Sequence, residues 1–131
     1  MAYSGYCIIS DMTDWMENEE ISQLASDIVA KWPSNEGDGT TDATIIGICD
    51  EMRQSADSEI DGYIIGRYPG LRDVATVPSL INKFSAQLAI YNLLSRRGRS
   101  NPKWDKIQND IIVQLREIRD GQLGIGLEDG G

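Results

Sequence analysis

The chain has 131 residues, with 12 Lys and Arg against 21 Asp and Glu, and a net charge of -9 at pH 7. This length fits one domain with its own core. With no histidine and only two widely spaced cysteines, the sequence excludes a zinc site and a His-based catalytic triad. It has neither a run of about 18 apolar residues nor a basic signal start, so we expect a cytoplasm-made protein outside membranes.

The charge is divided unevenly along the chain. Residues 1–62 hold fourteen acids and two bases, a balance of -12, whereas residues 63–119 hold ten bases and four acids, a balance of +6. Opposite charges on two halves suit head-to-tail contact between copies, because complementary potentials fix orientation and heterologous interfaces can close into rings. Two separately solvated surfaces would give the same pattern.

The N-terminal residues 1–9 are too apolar for a free end, since they include Tyr3, Tyr6 and Ile8. We predict an assembly arm that packs on its own domain or on a neighbour. Ser10 or Asp11 can cap a short helix through Met16. A second short helix is predicted to begin at Asn18 and to end before the turn at Trp32 and Pro33.

Residues 34–41, SNEGDGTT, form a predicted loop. An EF-hand calcium loop would need a bidentate Glu at its twelfth position, but the two possible registers put Ile45 or Cys49 there. A solvated loop is the better interpretation.

The longest predicted helix follows this loop. Asp42 is its expected N-cap, and Pro69 predicts an end near Arg67 or Tyr68. Its apolar residues recur every three or four positions, and the polar residues between them, Arg53 and Asp57 included, are assigned to the solvent face. The apolar stripe is Ile45, Ile48, Cys49, Met52, Ala56, Ile60, Tyr63 and Ile64.

Two more long helices are predicted downstream. Pro78 suits the first position of a helix whose apolar residues surround most of its circumference, so it should be buried on most sides. Asn101 and Pro102 suit the N-cap and first position of the last helix, which closes at Gly121. The sequence thus predicts an all-α fold: a small helical bundle of three main helices plus one or two short N-terminal ones. Short extended segments flank it, and residues 122–131 are predicted to be a flexible tail.

No catalytic, cofactor or metal site is predicted. The densest carboxylates, Asp57, Glu59 and Asp61, lie on one predicted helix without convergent groups from other elements. The main basic cluster is Arg96, Arg97, Arg99 and Lys103, and these residues are the predicted contacts to another subunit or to DNA phosphates.

Several segments together resemble a known family. They are the run ADSEIDGYIIGRYPGL (56–71), the preceding loop EGDGTTDATI, the VPSLINKFSAQLAIYNLL helix and the final WDKIQNDIIVQLREIRDGQLGIG. In this order they resemble the small neck proteins of Mu-type tailed bacteriophages, a head-completion or head-tail connector family long filed as a domain of unknown function.

The resemblance implies a non-enzymatic protein of the virion neck, made in the bacterial cytoplasm and needing no cofactor. Copies would form a homo-oligomeric ring below the portal protein, extend the channel for passing double-stranded DNA without sequence specificity, and dock a tail or tail-terminator protein. The alternative is a cytoplasmic helical protein-binding adaptor or small regulator. A metal-dependent enzyme is kept only because carboxylates are plentiful.

Overall fold

The architecture is all-α in the computed structural model, which describes residues 5–17, 20–21, 43–71, 74, 76–96, 98 and 101–125. Within these residues, four helices run in the order α1 (Ile9–Met12), α2 (Ala43–Ile64), α3 (Ser79–Arg96) and α4 (Pro102–Arg119). The prediction of three main helices and a short N-terminal one is confirmed. The 34–41 loop, the Asp42 cap and most of the second short helix lie outside the described residues.

The helix α3 lies at the centre of the bundle, packed against α1, α2 and α4. Ten of its residues are buried, so the prediction of a helix buried on most sides is confirmed. It begins one residue after the predicted start, since Pro78 lies just outside and its carbonyl accepts the Asn82 N–H at 3.0 Å. The Asn92 side-chain amide donates to the Met52 carbonyl of α2 at 3.2 Å and ties the two helices together.

The helix α2 ends at Ile64, a turn earlier than predicted. The next residues form a tight turn, because the N–H groups of both Arg67 and Tyr68 donate to the Ile64 carbonyl, at 3.0 and 2.9 Å. Tyr68 and Leu71 are buried, so this turn packs against the end of the core. The helix therefore ends before it reaches Pro69, the residue that was predicted to end it.

The two faces of α2 do not divide as the sequence pattern predicts. Cys49, Ala56 and Ile60 are buried as expected, but Arg53 and Asp57 are buried beside them, so their assignment to the solvent face is wrong. Tyr63, predicted to lie in the buried stripe, is only half-buried and has the Arg119 guanidinium 6.0 Å from its ring centre.

The helix α4 is bounded by local signals that the sequence predicts. The Asn101 side chain accepts the N–H groups of Lys103 and Trp104 at 3.0 and 3.4 Å, and Pro102 follows as the first helical residue. Gly98 takes a left-handed φ of 66° in the turn before this cap. The apolar residues Trp104, Ile111, Leu115 and Ile118 are buried against α2 and α3.

The end of α4 is closed by Gly121, as predicted. With φ at 83°, the Gly121 N–H donates to the Ile118 carbonyl and the Gln122 N–H to the Glu117 carbonyl, the two bonds of a Schellman motif. In the described part of the predicted tail, 122–125, Leu123 is half-buried on the core and Ile125 is buried. Residues 126–131 lie outside the described part.

Candidate subunit-contact surfaces

Residues 5–8 are fastened to α2 by buried polar groups. The Asp57 carboxylate, fully buried, accepts the Tyr6 backbone N–H at 2.9 Å. Arg53, also buried, donates to the Cys7 carbonyl and to the Asp50 carboxylate. Charge-assisted hydrogen bonds of this kind are roughly twice as strong as neutral ones, so they fix the segment in place.

The helix α3 holds the same segment from the other side. The Ser85 hydroxyl donates to Asp57 at 2.5 Å, and its oxygen lies 3.1 Å from the Cys7 sulfur. The Asn82 side-chain amide donates to the Tyr6 carbonyl at 3.1 Å and to the Asp11 carboxylate at 2.9 Å. Asp11 also accepts the Ile8 N–H at 2.9 Å, and this bond caps α1. Asp11 is therefore the third residue of the helix and not the residue that precedes it, as was predicted.

The three residues predicted as an assembly arm therefore have different positions. Tyr6 is buried in its own domain, and its hydroxyl donates to the Asp61 carboxylate. Ile8, two residues later, is 54% exposed. Tyr3 lies outside the described residues. Of the described pair, Ile8 is the side chain that can meet a neighbour.

Ile8 and Trp15 are exposed side chains in the N-terminal part of the described chain. Both side chains are large and apolar, and Trp15 is 41% exposed, with the Lys83 ammonium 5.7 Å from its ring centre. Beside Ile8 an open hollow of about 380 Å³ extends between Gly5–Ile8 and Val77. We call the exposed residues Ile8, Trp15 and Lys83 together the Trp15 surface.

A second hollow, of about 150 Å³, opens between α3 and α4 and shares Lys83 with the Trp15 surface. Gln87 lines it and is only 6% exposed, yet none of the side-chain hydrogen bonds of the described chain includes its amide. Gln114 and Asp110 line the opposite side, where Asp110 accepts from Lys106 at 3.2 Å. The Gln87 amide is not among the fully buried groups that lack a partner, so water in the hollow can reach it and a group from outside can bind it.

The basic cluster surrounds the turn between α3 and α4. Arg96 is exposed in the last turn of α3, and Lys103 is exposed in the first turn of α4, with its ammonium 5.8 Å from the Trp104 ring centre. Arg97 and Arg99, predicted as members of the cluster, lie outside the described residues. Arg96 and Lys103 thus flank one turn, on either side of Gly98.

Exposed charge differs between the two central helices. On α2, Glu51 and Glu59 are exposed and the helix's single cation, Arg53, is buried. Desolvation by neighbouring groups raises the pKa of Glu59, although its side chain still reaches water. The helix α3 contains no acid and exposes the cations Lys83 and Arg96.

Both thiols are protected from reaction. Burial raises the pKa of Cys7 to about 11 and that of Cys49 to about 12, and nearby carboxylates add to the effect in each case. A thiol must ionise to act as a nucleophile or metal ligand, so neither cysteine is activated at neutral pH. Within the described residues, no group of three or more acidic or thiol side chains is placed to hold a metal ion.

The sequence interpretation missed the buried polar groups Arg53, Asp57, Ser85 and Gln87. A signal for the first two was present, because position 53 falls four residues after Cys49, and position 57 falls four residues after position 53 and three before Ile60, in phase with the buried stripe. The charge of these two side chains favours the solvent face, whereas their positions along the helix place them with the buried stripe. No sequence signal distinguishes Gln87, since it lies in a helix predicted to be apolar nearly all round.

These features define a small all-α protein whose residues 5–8 are held against a three-helix core and whose exposed side chains include two candidate contact surfaces that share Lys83. The family model described as Bacteriophage Mu, Gp36 matches residues 6–131, and the chain belongs to this family. It is a Mu-like bacteriophage protein. A search of curated proteins gave no match. No helix among the described residues has the length and apolar character needed to cross a membrane.

Proposed function

We propose that this protein is a head-tail connector subunit, a structural virion protein that forms a ring below the portal, extends the DNA channel and provides a docking surface for the tail. Its membership of a phage Mu family supports a role in the phage particle. The buried and deactivated thiols favour a structural role over thiol chemistry.

The observation that carries the ring proposal is the separation of exposed charge between α2 and α3. Glu51 and Glu59 lie on one helix, whereas Lys83 and Arg96 lie on the other. A subunit with two different, complementary surfaces makes heterologous contacts, and such contacts close into a ring when the rotation between copies permits. Complementary charges also orient the encounter between copies.

Light scattering coupled to size-exclusion chromatography tests self-assembly over a wide range of protein concentration. We expect oligomers at low salt that dissociate at high salt, because exposed charge pairs are screened. Negative-stain electron microscopy of the low-salt peak should show rings. A monomer at every concentration and salt, which also fails to co-migrate with the purified portal protein of the same phage, would overturn the proposal and favour the adaptor interpretation.

Contact with DNA is a separate part of the proposal. Arg96 and Lys103 present two cations beside the α3–α4 turn, where they can approach phosphates or an acidic partner surface. We expect assembled rings to retain a double-stranded DNA of random sequence weakly, with an affinity that falls steeply with salt. The Arg96→Ala/Lys103→Ala variant should bind this DNA more weakly than wild type at low salt. If the variant binds DNA as tightly as wild type and salt does not change its affinity, the proposed contact is contradicted.

A further inference from the structure

We propose that the hollow between α3 and α4 is a receptor for a carboxylate, and that its occupant is Glu51 on the α2 helix of a second copy of this chain. The inference rests on the proposed ring and names the contact between neighbouring subunits. Two independent features carry it, the chemistry of the hollow and the shape of the exposed face of α2.

The hollow is lined by groups that suit a carboxylate. Lys83 supplies an ammonium group, and Gln87 and Gln114 supply side-chain amides that can each donate two N–H groups. The Gln87 side chain is largely buried, and its amide makes no hydrogen bond within the described chain, so it faces the hollow ready to donate to a group from outside. A carboxylate that enters from outside would accept hydrogen bonds from Gln87 and Lys83 together.

Acidic groups bordering this region already have partners. Asp110 accepts from Lys106 at 3.2 Å, and Asp11 accepts from Asn82 and from the Ile8 N–H at 2.9 Å. Lys83 contacts the Trp15 ring and forms no ion pair in the described chain. The volume of about 150 Å³ is that of about five water molecules, which leaves room for a carboxylate with one or two waters.

The exposed face of α2 has the complementary shape. It lies opposite the buried residues of the helix and carries Glu51 among small side chains, with the larger Gln54 and Glu59 exposed at its two borders. The small side chains along the middle of this face let it approach the Trp15 surface closely, so that the exposed Trp15 and Ile8 rest against it while Glu51 reaches the hollow. The small residues of this face are Gly47, Ser55, Ser58 and Gly62.

The two glycines of that face are not required by the fold of the single chain. A Cβ atom at Gly47 or Gly62 would meet nothing within 4 Å, and neither residue has a positive φ. Glycine inside a helix is nevertheless less stable than alanine by about 1 kcal/mol. Close approach of another chain gives these positions a reason to lack a side chain.

A charge-reversal pair tests the contact. Glu51→Lys makes both surfaces of the subunit basic, and Lys83→Glu makes both acidic, so each variant alone should self-associate about tenfold or more weakly than wild type. Mixing them should restore oligomers, because every contact in an alternating ring then joins a lysine to a glutamate. Glu17→Lys is the matched control, since it makes the same charge change at an exposed residue outside α2 and should assemble like wild type.

Two uncharged variants separate folding from assembly. Gln87→Leu removes an amide that makes no hydrogen bond within the described chain, and Gly62→Leu adds a side chain at an exposed helical position where a Cβ meets nothing within 4 Å, so both should keep or raise the melting temperature of the monomer. Both should weaken self-association severalfold in light scattering. A variant that has both a lower melting temperature and weaker self-association would indicate damage to the fold. For that reason the mixture of the two charge-reversal variants is the deciding measurement.

The outcomes for the inference and for the ring itself differ. Wild type that never assembles, alone or on the portal protein, overturns the proposed function. Wild type that assembles while all four variants assemble equally well overturns only the Glu51 contact. Loss of assembly in each charge variant with recovery on mixing supports both.

Discussion

Replacing Asp57 by alanine is the most informative perturbation of the fold. The Tyr6 N–H and the Ser85 hydroxyl would each lose a charged acceptor, at 2.9 and 2.5 Å, and the buried Arg53 one turn away would lose a buried negative charge near it. A hydrogen bond to a charged group contributes about 1.5–3 kcal/mol, and breaking a buried charged network typically costs about 3–5 kcal/mol. We therefore expect Asp57→Ala to lower the free energy of unfolding by about 4 kcal/mol.

Urea unfolding followed by circular dichroism measures this loss. At a typical urea dependence of about 2 kcal/mol per molar, the midpoint should fall by about 2 M. Glu51→Ala, which removes an exposed carboxylate from the same helix, should change stability by less than about 0.5 kcal/mol. Asp57→Asn keeps one acceptor oxygen and should fall between the two, which preserves the test if the alanine variant does not fold.

Amide hydrogen exchange reports the same network locally. In wild type the Tyr6 N–H is held by Asp57 and should exchange slowly, whereas in Asp57→Asn it should exchange faster than amides in the middle of α3. A loss below about 1 kcal/mol together with unchanged exchange at Tyr6 would refute the reasoning, because the buried carboxylate would then not be what holds residues 5–8 to the helices.

The remaining predictions concern the helix ends and the thiols. Gly121→Ala should cost about 1–2 kcal/mol, since a Cβ would lie 2.6 Å from the Arg67 Nη2 and φ is +83°; Gly98→Ala, at φ +66° with nothing within 4 Å, is its control and should cost less. Asn101→Ala should lower the melting temperature through about 1 kcal/mol of lost capping, while Asn109→Ala, exposed within α4, should not. Native Cys7 and Cys49 should resist alkylation at pH 8 and react fully in urea; rapid native labelling would contradict their burial. Because folding raises the pKa of Cys7 to about 11 and of Cys49 to about 12, the unfolded chain loses these protons first. Their stabilisation should be complete below about pH 8.5 and lost as the pH rises through 11 and 12, and a Cys7→Ala/Cys49→Ala variant should show a shallower decline in urea midpoint.

The sequence by itself determined the helices and most of their ends. Pro78, Asn101, Pro102 and Gly121 act through the geometry of their own backbone and of groups within a few residues, so their effects can be predicted without knowing the fold. The order of these segments also indicated the phage Mu family, which the match over residues 6–131 confirms.

The tertiary structure alone decided where the polar groups lie. Arg53 and Asp57 are buried because their partners, residues 6–7 and Ser85, arrive from distant parts of the chain, and a helical pattern contains no information about such partners. The same holds for Gln87, which is enclosed only because α4 packs beside α3. Local chemistry fixed the elements, whereas long-range packing determined which charges were buried and which surfaces remained open to another subunit.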